Sequence, residues 1–418
     1  MHTITQKNGN IFGIQLFGYI ILALLDRYSY IIHKIWVKVP IRWISHLRRL
    51  KVRQNVKEVL PWMIIQFAHI LHGIYSTLLI TGYGGKPAKE LASGFKIVLT
   101  FQTSVDVAIA ALTFTLWKKR DLIAACFNST NQLPKRQSEV TFEKRLADKK
   151  GAHFFSHLLS TTVALDLTLT PYALSFVIFV FNLDDPIHYL LELLGLPRSY
   201  HLNKLLSPII FTVIQVNRFL STYIYFFLAI MLANRCLLVQ LTILQPPNAE
   251  MIPIGRQRSF IGTFDQKLIV YRRLHLILKY LNEIGSVMHS LMMTIAFLSL
   301  AVAGTVVILG TSYLPIPSHL FPLFPAYFVS VLGLLLLALP IGANIYENSV
   351  WFRYAWMKAG GYERKYVRKQ LASCMALKAE VGAMGFIDKS YIMTYSDALL
   401  NNIVNVVMYV TETYPKVM

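Results

Sequence analysis

Seven apolar runs constrain the fold of this chain more than any other feature of its sequence. Each run is about 20 residues long, the length that an α-helix needs to cross the hydrocarbon core of a bilayer. Hydrophobic residues make up 55% of the chain and charged residues only 15%, which excludes an ordinary soluble domain. The sequence therefore predicts an all-α, polytopic membrane protein with seven transmembrane helices. The runs cover residues 59–82, 94–117, 158–182, 208–232, 288–312, 325–346 and 391–410.

Lys and Arg are distributed unevenly between these runs. Of 41 such residues, 34 lie in alternate intervening segments, whereas the other intervening segments hold five. Because basic residues collect in cytoplasmic loops, this alternation predicts a plasma-membrane protein with a cytoplasmic N-terminus and an extracellular C-terminus. It also explains the net charge of +20 without nucleic acid as a partner. The basic segments are 1–58, 118–157, 233–287 and 347–390.

The same boundaries divide the chain into six regions. They are a basic cytoplasmic N-terminal region (1–58), transmembrane helices one to four (59–232), a cytoplasmic loop and long helix (233–287), transmembrane helices five and six (288–346), a cytoplasmic amphipathic helix (347–390), and the seventh helix with a short extracellular tail (391–418).

Two of these regions predict helices that extend outside the membrane. The apolar pattern runs without proline from Thr263 to Gly310, which predicts one helix roughly 70 Å long that enters span five from the cytoplasm. Apolar residues also recur at helical spacing among basic ones from Glu363 to Lys389, which predicts an amphipathic helix that packs on the long one. These apolar residues are Val367, Leu371, Met375 and Val381.

The N-terminal region contains a short apolar run and a basic stretch. Residues 11–25 are interpreted as an interfacial or packed helix, and the alternative is an eighth span within 11–33. From Lys34 to Lys57 the chain is basic with interleaved Trp36 and Trp43, which predicts a helix lying along the anionic inner leaflet of the lipid bilayer.

The last apolar run carries Asp397, Asn401 and Asn405, which are four residues apart and therefore share one face of a helix. Polar groups at bilayer depth normally face a bundle interior or a water-filled path. The stripe predicts a pore or a subunit interface, and the alternative is a set of hydrogen bonds between helices without a pore.

Ionisable residues also occur inside the other predicted spans. His69 and His72 share one face of the first span and are interpreted as a hydrogen-bonded pair in a helix interface, or as a pH-sensitive or ligand-contacting pair. A metal site would need a third ligand at the same depth, which the sequence does not identify.

Three charged residues lie within about one helical turn of the bilayer midplane. Because a lone charge there is costly, we expect Arg218 to pair with Asp106, Asp166 or both. A structural ion pair, a polar floor of a ligand pocket that opens outward, and a proton relay all remain open at this point. The other pocket candidates on these spans are Gln102, Tyr172 and Gln215.

The topology and one motif resemble the insect gustatory and odorant receptor superfamily. Gly385-Phe386-Ile387-Asp388 and Ile392 are similar to the stretch that precedes the last helix of gustatory receptors. The terminal signature of those receptors, Thr-Tyr, five apolar residues and Gln-Phe, is replaced here by Asn402-Ile403, residues 404–408 and Tyr409-Val410. The chain is therefore identified as a divergent gustatory-receptor-like member.

The resemblance implies a homo- or heterotetramer of related subunits. The last helices would line a central cation pore, with Asp397, Asn401 and Asn405 facing the axis and Val404 and Met408 as an apolar constriction. The other spans would enclose a pocket for a small extracellular ligand, and the cytoplasmic helices would form the main subunit contact.

The expected function is that of a taste-type receptor that acts as a ligand-gated cation channel. The alternatives are a G-protein-coupled-type receptor, which the charge distribution opposes, and a transporter, which the ionisable residues of the spans favour. No nucleophile motif, phosphate-binding glycine loop or metal cluster is recognised in the sequence, so neither an enzyme nor a cofactor is expected.

Overall fold

The computed structural model describes the parts of the chain that hold most of the predicted helices. The third predicted span, most of the fourth and residues 11–33 lie outside the described residues. The described residues are 38–47, 49–83, 93–132, 187, 191–192, 195–196, 201–218, 233–234, 237–241, 244–245, 263–313, 321, 323–359 and 364–413.

Within those residues the chain is mostly helical, with one β-hairpin near its N-terminus. The hairpin consists of β1 (Ile41–Ile44) and β2 (Arg49–Val52), and the helices are α1 (Val56–Thr81), α2 (Ser93–Lys118), α3 (Arg120–Gln132), α4 (His201–Arg218), α5 (Phe264–Tyr313), α6 (Leu323–Ala359), α7 (Arg364–Ala372) and α8 (Lys389–Thr413).

The helices agree with the predicted spans wherever both can be compared. Helices α1, α2 and α8 match the first, second and seventh spans to within a few residues, α5 and α6 contain the fifth and sixth, and α4 contains the start of the fourth. Among the described segments, Val56–Thr81 and Val331–Lys358 are long and apolar enough to cross a bilayer.

Helix α5 confirms the predicted long helix. It begins with a capping box, in which the Gln266 N–H donates to the Thr263 hydroxyl at 3.4 Å and the Thr263 N–H donates to the Gln266 side chain at 3.2 Å. It stays helical until Gly310, whose φ of 62° interrupts it. At about 1.5 Å per residue, the part before Gly310 is roughly 70 Å long.

The hairpin corrects the helix predicted for Lys34–Lys57. Trp43 pairs with Leu50 across two antiparallel strands, and both side chains are buried, whereas Arg42 and Lys51 point outward. This alternation has the period of two that a strand requires, and the basic residues that suggested a membrane-surface helix occupy the exposed face.

A side chain from α3 holds the hairpin in place. The Leu50 N–H donates to Asn128 Oδ1 at 2.9 Å, and Asn128 Nδ2 donates to the Leu50 carbonyl at 2.8 Å. The Trp43 ring meets Phe127 edge-on, with 5.5 Å between the ring centroids. Since a two-stranded hairpin is marginal alone, these contacts account for its presence.

The predicted cytoplasmic helix from Glu363 to Lys389 is also corrected. Helix α7 ends at Ala372, and the chain then runs extended through Val381. Val367 and Leu371 are buried on α7 as predicted, but Met375 is 72% exposed. Leu377-Lys378-Ala379-Glu380-Val381 alternates apolar and charged residues, and this strand-like period overrides the helical one.

The largest buried apolar cluster among the described residues lies where α1 begins and where α2 and α6 end. Tyr271 of α5 stacks on Phe352 of α6 with 4.6 Å between ring centroids. The buried Lys267 donates to the Gln245 carbonyl at 3.2 Å, and burial lowers the pKa of its ammonium group. Other members of the cluster are Trp43, Trp62, Leu116, Phe127, Leu241, Leu278, Leu371 and Leu377.

We expect Asn128→Ala to destabilise the protein by about 1–3 kcal/mol, because it leaves both polar backbone groups of Leu50 without their α3 partner. Thermal unfolding of the purified protein in detergent, followed by size-exclusion chromatography, measures the change. Ser129→Ala, at the exposed neighbouring position, is the control and should leave the midpoint unchanged. Equal midpoints for both variants would show that Asn128 does not hold the hairpin.

Candidate functional site

The last helix, α8, begins at a well-defined cap. The Tyr391 N–H donates to the Asp388 carboxylate at 2.6 Å, and Lys389 forms an ion pair with Glu347 of α6. A carboxylate at a helix N-terminus is favourable because it accepts a free backbone N–H and opposes the helix dipole. These contacts fix where α8 starts relative to α6.

One face of α8 packs against α5 and α6. Leu399 and Ile403 are buried against Leu300 of α5. The Tyr395 hydroxyl donates to the Met293 carbonyl at 3.2 Å. A Cβ atom added at Gly304 of α5 would lie 2.8 Å from Ile403 Cδ1, so the missing side chain of this glycine allows the two helices to approach closely.

The opposite face of α8 carries the predicted pore residues. Asp397, Asn401 and Asn405, which we call the outward stripe, are all exposed in the single chain, and none of their side chains hydrogen-bonds to another described residue. Val404 and Met408 flank the stripe and are about half exposed. Leu399 and Ile403 face α5 and α6. Each residue of the stripe is two positions, or about 200° around the helix, from one of these two residues, so the stripe points away from α5 and α6.

Residues 374–388, which we call the linker, connect α7 to α8 and are held by side chains of two long helices. Asn282 of α5 donates from Nδ2 to the Lys378 carbonyl at 2.8 Å and accepts the Glu380 N–H at 3.2 Å. Ser349 of α6 accepts the Leu377 N–H at 2.9 Å. The extended backbone of the linker is thus bonded to helices on two sides.

The linker turns back on itself before α8 starts. The Val381 N–H donates to the Gly385 carbonyl at 2.7 Å, and the Ile387 N–H donates to the Ala379 carbonyl at 2.9 Å. Gly382 has a φ of 54°, and a Cβ atom there would lie 3.1 Å from the Ser286 carbonyl oxygen. This turn holds the start of α8 against α5.

The hydroxyl of Tyr271 on α5 adds another contact to the linker. It donates to the Met375 carbonyl at 2.7 Å. Burial raises the pKa of this phenol above its ordinary value, so the group remains a neutral donor across the physiological range. The linker residues Leu377 and Val381 are also fully buried.

A second group of polar residues is buried between α1 and α2. Asp106 Oδ2 lies 3.3 Å from His72 Nδ1, and Asp106 Oδ1 lies 3.7 Å from His69 Nε2. All three side chains, which we call the His–Asp cluster, are at most 5% exposed. Gly73 permits this approach, since a Cβ atom there would lie 3.3 Å from the Asp106 Cβ.

Helix α4 closes one side of the His–Asp cluster. The Phe211 ring is fully buried and meets the His72 ring edge-on, with 6.0 Å between the centroids. Further along the α1–α2 contact, the Thr113 hydroxyl donates to Gln66 Oε1 at 3.1 Å. Polar side chains thus face one another across this helix interface, as a membrane bundle favours.

The other predicted pocket residues divide into two groups. Gln102, Gln215 and Arg218 lie on helices α2 and α4, but their side chains lie outside the described residues, as do Asp166 and Tyr172. The predicted pairing of Arg218 with an aspartate therefore stays a prediction. What the structure adds is that Asp106 lies beside both histidines, a partnership that sequence analysis missed because α1 and α2 are separate in the chain.

Sequence analysis also missed Asn282 and Ser349, which hold the linker. Their types carry no signal for this role, since polar residues on a helix surface are usually solvated. The alternation from Leu377 to Val381 is the signal that could have predicted an extended segment in need of hydrogen-bond partners.

Long apolar helices, a buried polar cluster between two of them and a separately anchored last helix characterise the described part of the chain. Its fold is similar to that of an insect olfactory receptor. The structure of the insect olfactory receptor OR5 from Machilis hrabei in complex with eugenol matches 95% of this chain and 99% of its own, with a TM-score of 0.63 and 10% identity. A second structure of the same olfactory receptor matches 93% of this chain and 96% of its own, with a TM-score of 0.59 and 8% identity.

No family sequence profile and no curated protein sequence matches the chain. At 10% identity and below, the likeness to the olfactory receptor shows a shared fold. The shared fold is consistent with the superfamily resemblance, while membership of that superfamily and of its gustatory branch, which Gly385–Asp388 indicates, stays a prediction.

We expect Gly304→Val to destabilise the protein by about 1–3 kcal/mol, because the added side chain would displace Ile403 and overpack the contact between α5 and α8. Gly333→Val on α6 is the matched control, since a Cβ atom at Gly333 meets nothing within 4 Å. Thermal unfolding in detergent compares the two variants. An equal effect of both substitutions would mean that helix propensity, rather than close packing at Gly304, determines the result.

Proposed function

We propose that this protein is a taste-type chemosensory receptor that works as a ligand-gated cation channel. In this proposal the chain crosses the plasma membrane seven times, with its N-terminus in the cytoplasm, and four identical or related subunits surround a central axis. It acts without catalysis or a cofactor. The observation that carries the proposal is the outward stripe of α8, and the fold shared with the olfactory receptor supports it.

The outward stripe needs a polar environment that the chain itself does not provide among its described residues. A carboxylate and two carboxamides facing hydrocarbon would each cost several kcal/mol. A water-filled axis shared by several copies of α8 removes that cost. Lipid-facing α8 helices are the opposite arrangement, and they would leave Asp397, Asn401 and Asn405 unsatisfied.

In a tetramer, each pore-lining residue would occur four times and form a ring around the axis. Four copies of Asp397 would form a ring of negative charge that favours cations. Four copies of Asn401 and of Asn405 would line the water path with neutral dipoles. Val404 and Met408 flank this face nearer the C-terminal end, where apolar side chains would close the pore by expelling water.

The ligand in this proposal is a small extracellular molecule. Eugenol is the molecule in the complex of the similar olfactory receptor, and we infer an uncharged or weakly polar ligand here. A shift from mostly closed to mostly open channels requires roughly 3–5 kcal/mol of differential binding, summed over the subunits. The proposed pocket residues are His69, His72, Gln102, Asp106, Asp166, Tyr172, Gln215 and Arg218.

The linker supplies a route from such a pocket to the pore. It is hydrogen-bonded to Asn282 on α5 and to Ser349 on α6, and it leads directly into α8. A ligand that shifts α5 or α6 would therefore move the first turn of α8. Because the outer part of α8 is held mainly by side-chain packing, a shift at its start would rotate or tilt the outward stripe.

We expect Asp397→Asn to lower the preference for cations over anions, because it neutralises four charges in the pore. Coulomb's law in a water-filled pore gives about 1 kcal/mol, or roughly fivefold in the permeability ratio. Reversal potentials in cells that express the receptor, recorded with the external salt diluted, measure this ratio. The ligand for the recording comes from a screen of small uncharged molecules.

A matched pair of substitutions tests the direction of the stripe. Asn401→Asp adds a charge on the stripe and should raise cation preference, whereas Asn402→Asp adds the same charge one helix step away and should not. Equal effects at the two positions would contradict the proposed pore face. Movement of a small-molecule substrate across the membrane without an ionic current would contradict the proposed channel and favour a transporter.

We expect Asn282→Ala to weaken coupling between ligand and pore, because the linker loses two hydrogen bonds to α5. The ligand concentration for half-maximal current should rise by about tenfold, which corresponds to about 1.4 kcal/mol. Asn348→Ala removes the same type of side chain from α6. Among the described residues, this side chain bonds only the Asn344 carbonyl of its own helix, at 2.8 Å, so the dose–response curve should stay unchanged. Surface labelling must show equal expression, and identical curves for the two variants would overturn the proposed coupling.

A further inference from the structure

We propose that His69, His72 and Asp106 form a binding site for a divalent transition-metal ion of the zinc class. This inference does not rest on the proposed channel function, since it concerns a site between α1 and α2. Each of the three residues offers one ligand atom, and these atoms all lie within 4.8 Å of one another. The metal would join two helices near their midpoints.

The distances within the His–Asp cluster are close to those of a bound metal. Two ligand atoms that each lie about 2.0–2.1 Å from a tetrahedral zinc ion are roughly 3.4 Å apart. The separation between His72 Nδ1 and Asp106 Oδ2 is 3.3 Å, and that between His69 Nε2 and Asp106 Oδ1 is 3.7 Å. These two separations involve different oxygens of the carboxylate, and one atom from each residue lies within 4.8 Å of the others. Changes in side-chain torsion would bring the three ligand atoms around one ion.

The donor set selects the class of metal. Two imidazole nitrogens and one carboxylate oxygen suit zinc and its neighbours, whereas magnesium and calcium prefer sites made of oxygen atoms. Three protein ligands leave a fourth position for water or another small ligand, as in zinc sites that are not closed. Metal sites in helix bundles are commonly built from inward side chains on facing helices, including pairs three residues apart such as His69 and His72.

The surroundings of the cluster are consistent with a site that is built into the fold. Gly73 brings the backbone of α1 close to Asp106, because any larger residue would press on its side chain. The Ser76 hydroxyl donates to the His72 carbonyl at 2.8 Å, a bond within α1 that does not involve the His72 ring. His72 Nε2 is buried and has no hydrogen-bond partner among the described residues. A hydrogen-bonding water or polar group on Nε2 would orient the ring when Nδ1 binds the metal.

Charge provides a further reason. A buried carboxylate is costly at bilayer depth unless groups of opposite charge lie close to it. A divalent cation would supply such a charge and would bond all three groups at once. A proton shared by the cluster is the competing occupant, because it neutralises the charge without joining the three ligands.

Metal content of the purified protein tests the proposal without any need for current or ligand. The full-length protein is expressed with zinc in the medium, purified in detergent, dialysed against a weak chelator and analysed by mass spectrometry. We expect about one zinc ion per chain, as for a structural or semi-open site of three protein ligands. His72→Gln and Asp106→Asn should each weaken binding by more than about 100-fold, since even outer-shell partners are worth roughly 10- to 100-fold.

His275→Gln on α5 is the control, because this half-buried histidine lies outside the cluster. It should retain the zinc of the unchanged protein. If the purified wild-type protein contains no zinc, the proposal is overturned and a proton is the occupant of the cluster. Retention of zinc by His72→Gln and Asp106→Asn, or its loss from the control alone, would also overturn it.

A second measurement tests the proposal if His72→Gln and Asp106→Asn fail to fold. His72→Cys keeps a metal ligand at the same place, and cobalt(II) bound to a thiolate gives a charge-transfer absorption that cobalt bound to nitrogen and oxygen lacks. We expect that band in His72→Cys loaded with cobalt and its absence in the wild-type protein and in His275→Cys. A folded His72→Cys protein without the band would overturn the proposed site.

Discussion

Packing on the long helix α5 is the interaction on which the rest of the described structure depends. Its first half buries Leu268, Leu274 and Leu278 in a core shared with the hairpin, α3, α6 and α7. Its second half holds α8, where Gly304 meets Ile403. Burial of apolar surface drives association in water but not between helices in lipid. In the proposed topology α5 continues from water into lipid, so that a core on the water side would set the position of helices that lipid alone would not order.

The chain handles polar groups inside its apolar helices in two opposite ways. Between α1 and α2 the polar groups face inward, where Asp106 lies beside two imidazoles and Thr113 bonds Gln66. On α8 they face outward, away from every described helix of the same chain. The first arrangement pairs polar side chains of one chain with one another, whereas the second requires water or other subunits. That contrast is the physical basis for separating an internal site from a shared pore.

Much of the helical architecture could be predicted because its signals are local. The capping box at Thr263 and the unbroken apolar pattern up to Gly310 define α5, and the glycine at its end marks the interruption. The hairpin and the linker were mistaken for helices for a common reason. In both, basic residues at roughly helical intervals accompany a period-two alternation of only four or five residues. Such a short alternation does not outweigh neighbouring helical patterns without knowledge of what the segment packs against.

The sequence by itself determined which segments are long apolar helices and that polar residues on α8 share one face, because both follow from run length and helical periodicity. Only the tertiary structure decided which way that face points, since the answer depends on Leu399 and Ile403 packing against α5. It likewise decided that Asp106 meets His69 and His72, and that Asn282 receives the linker. Such contacts join residues far apart in the chain, and their existence depends on the register between helices, which no single segment specifies.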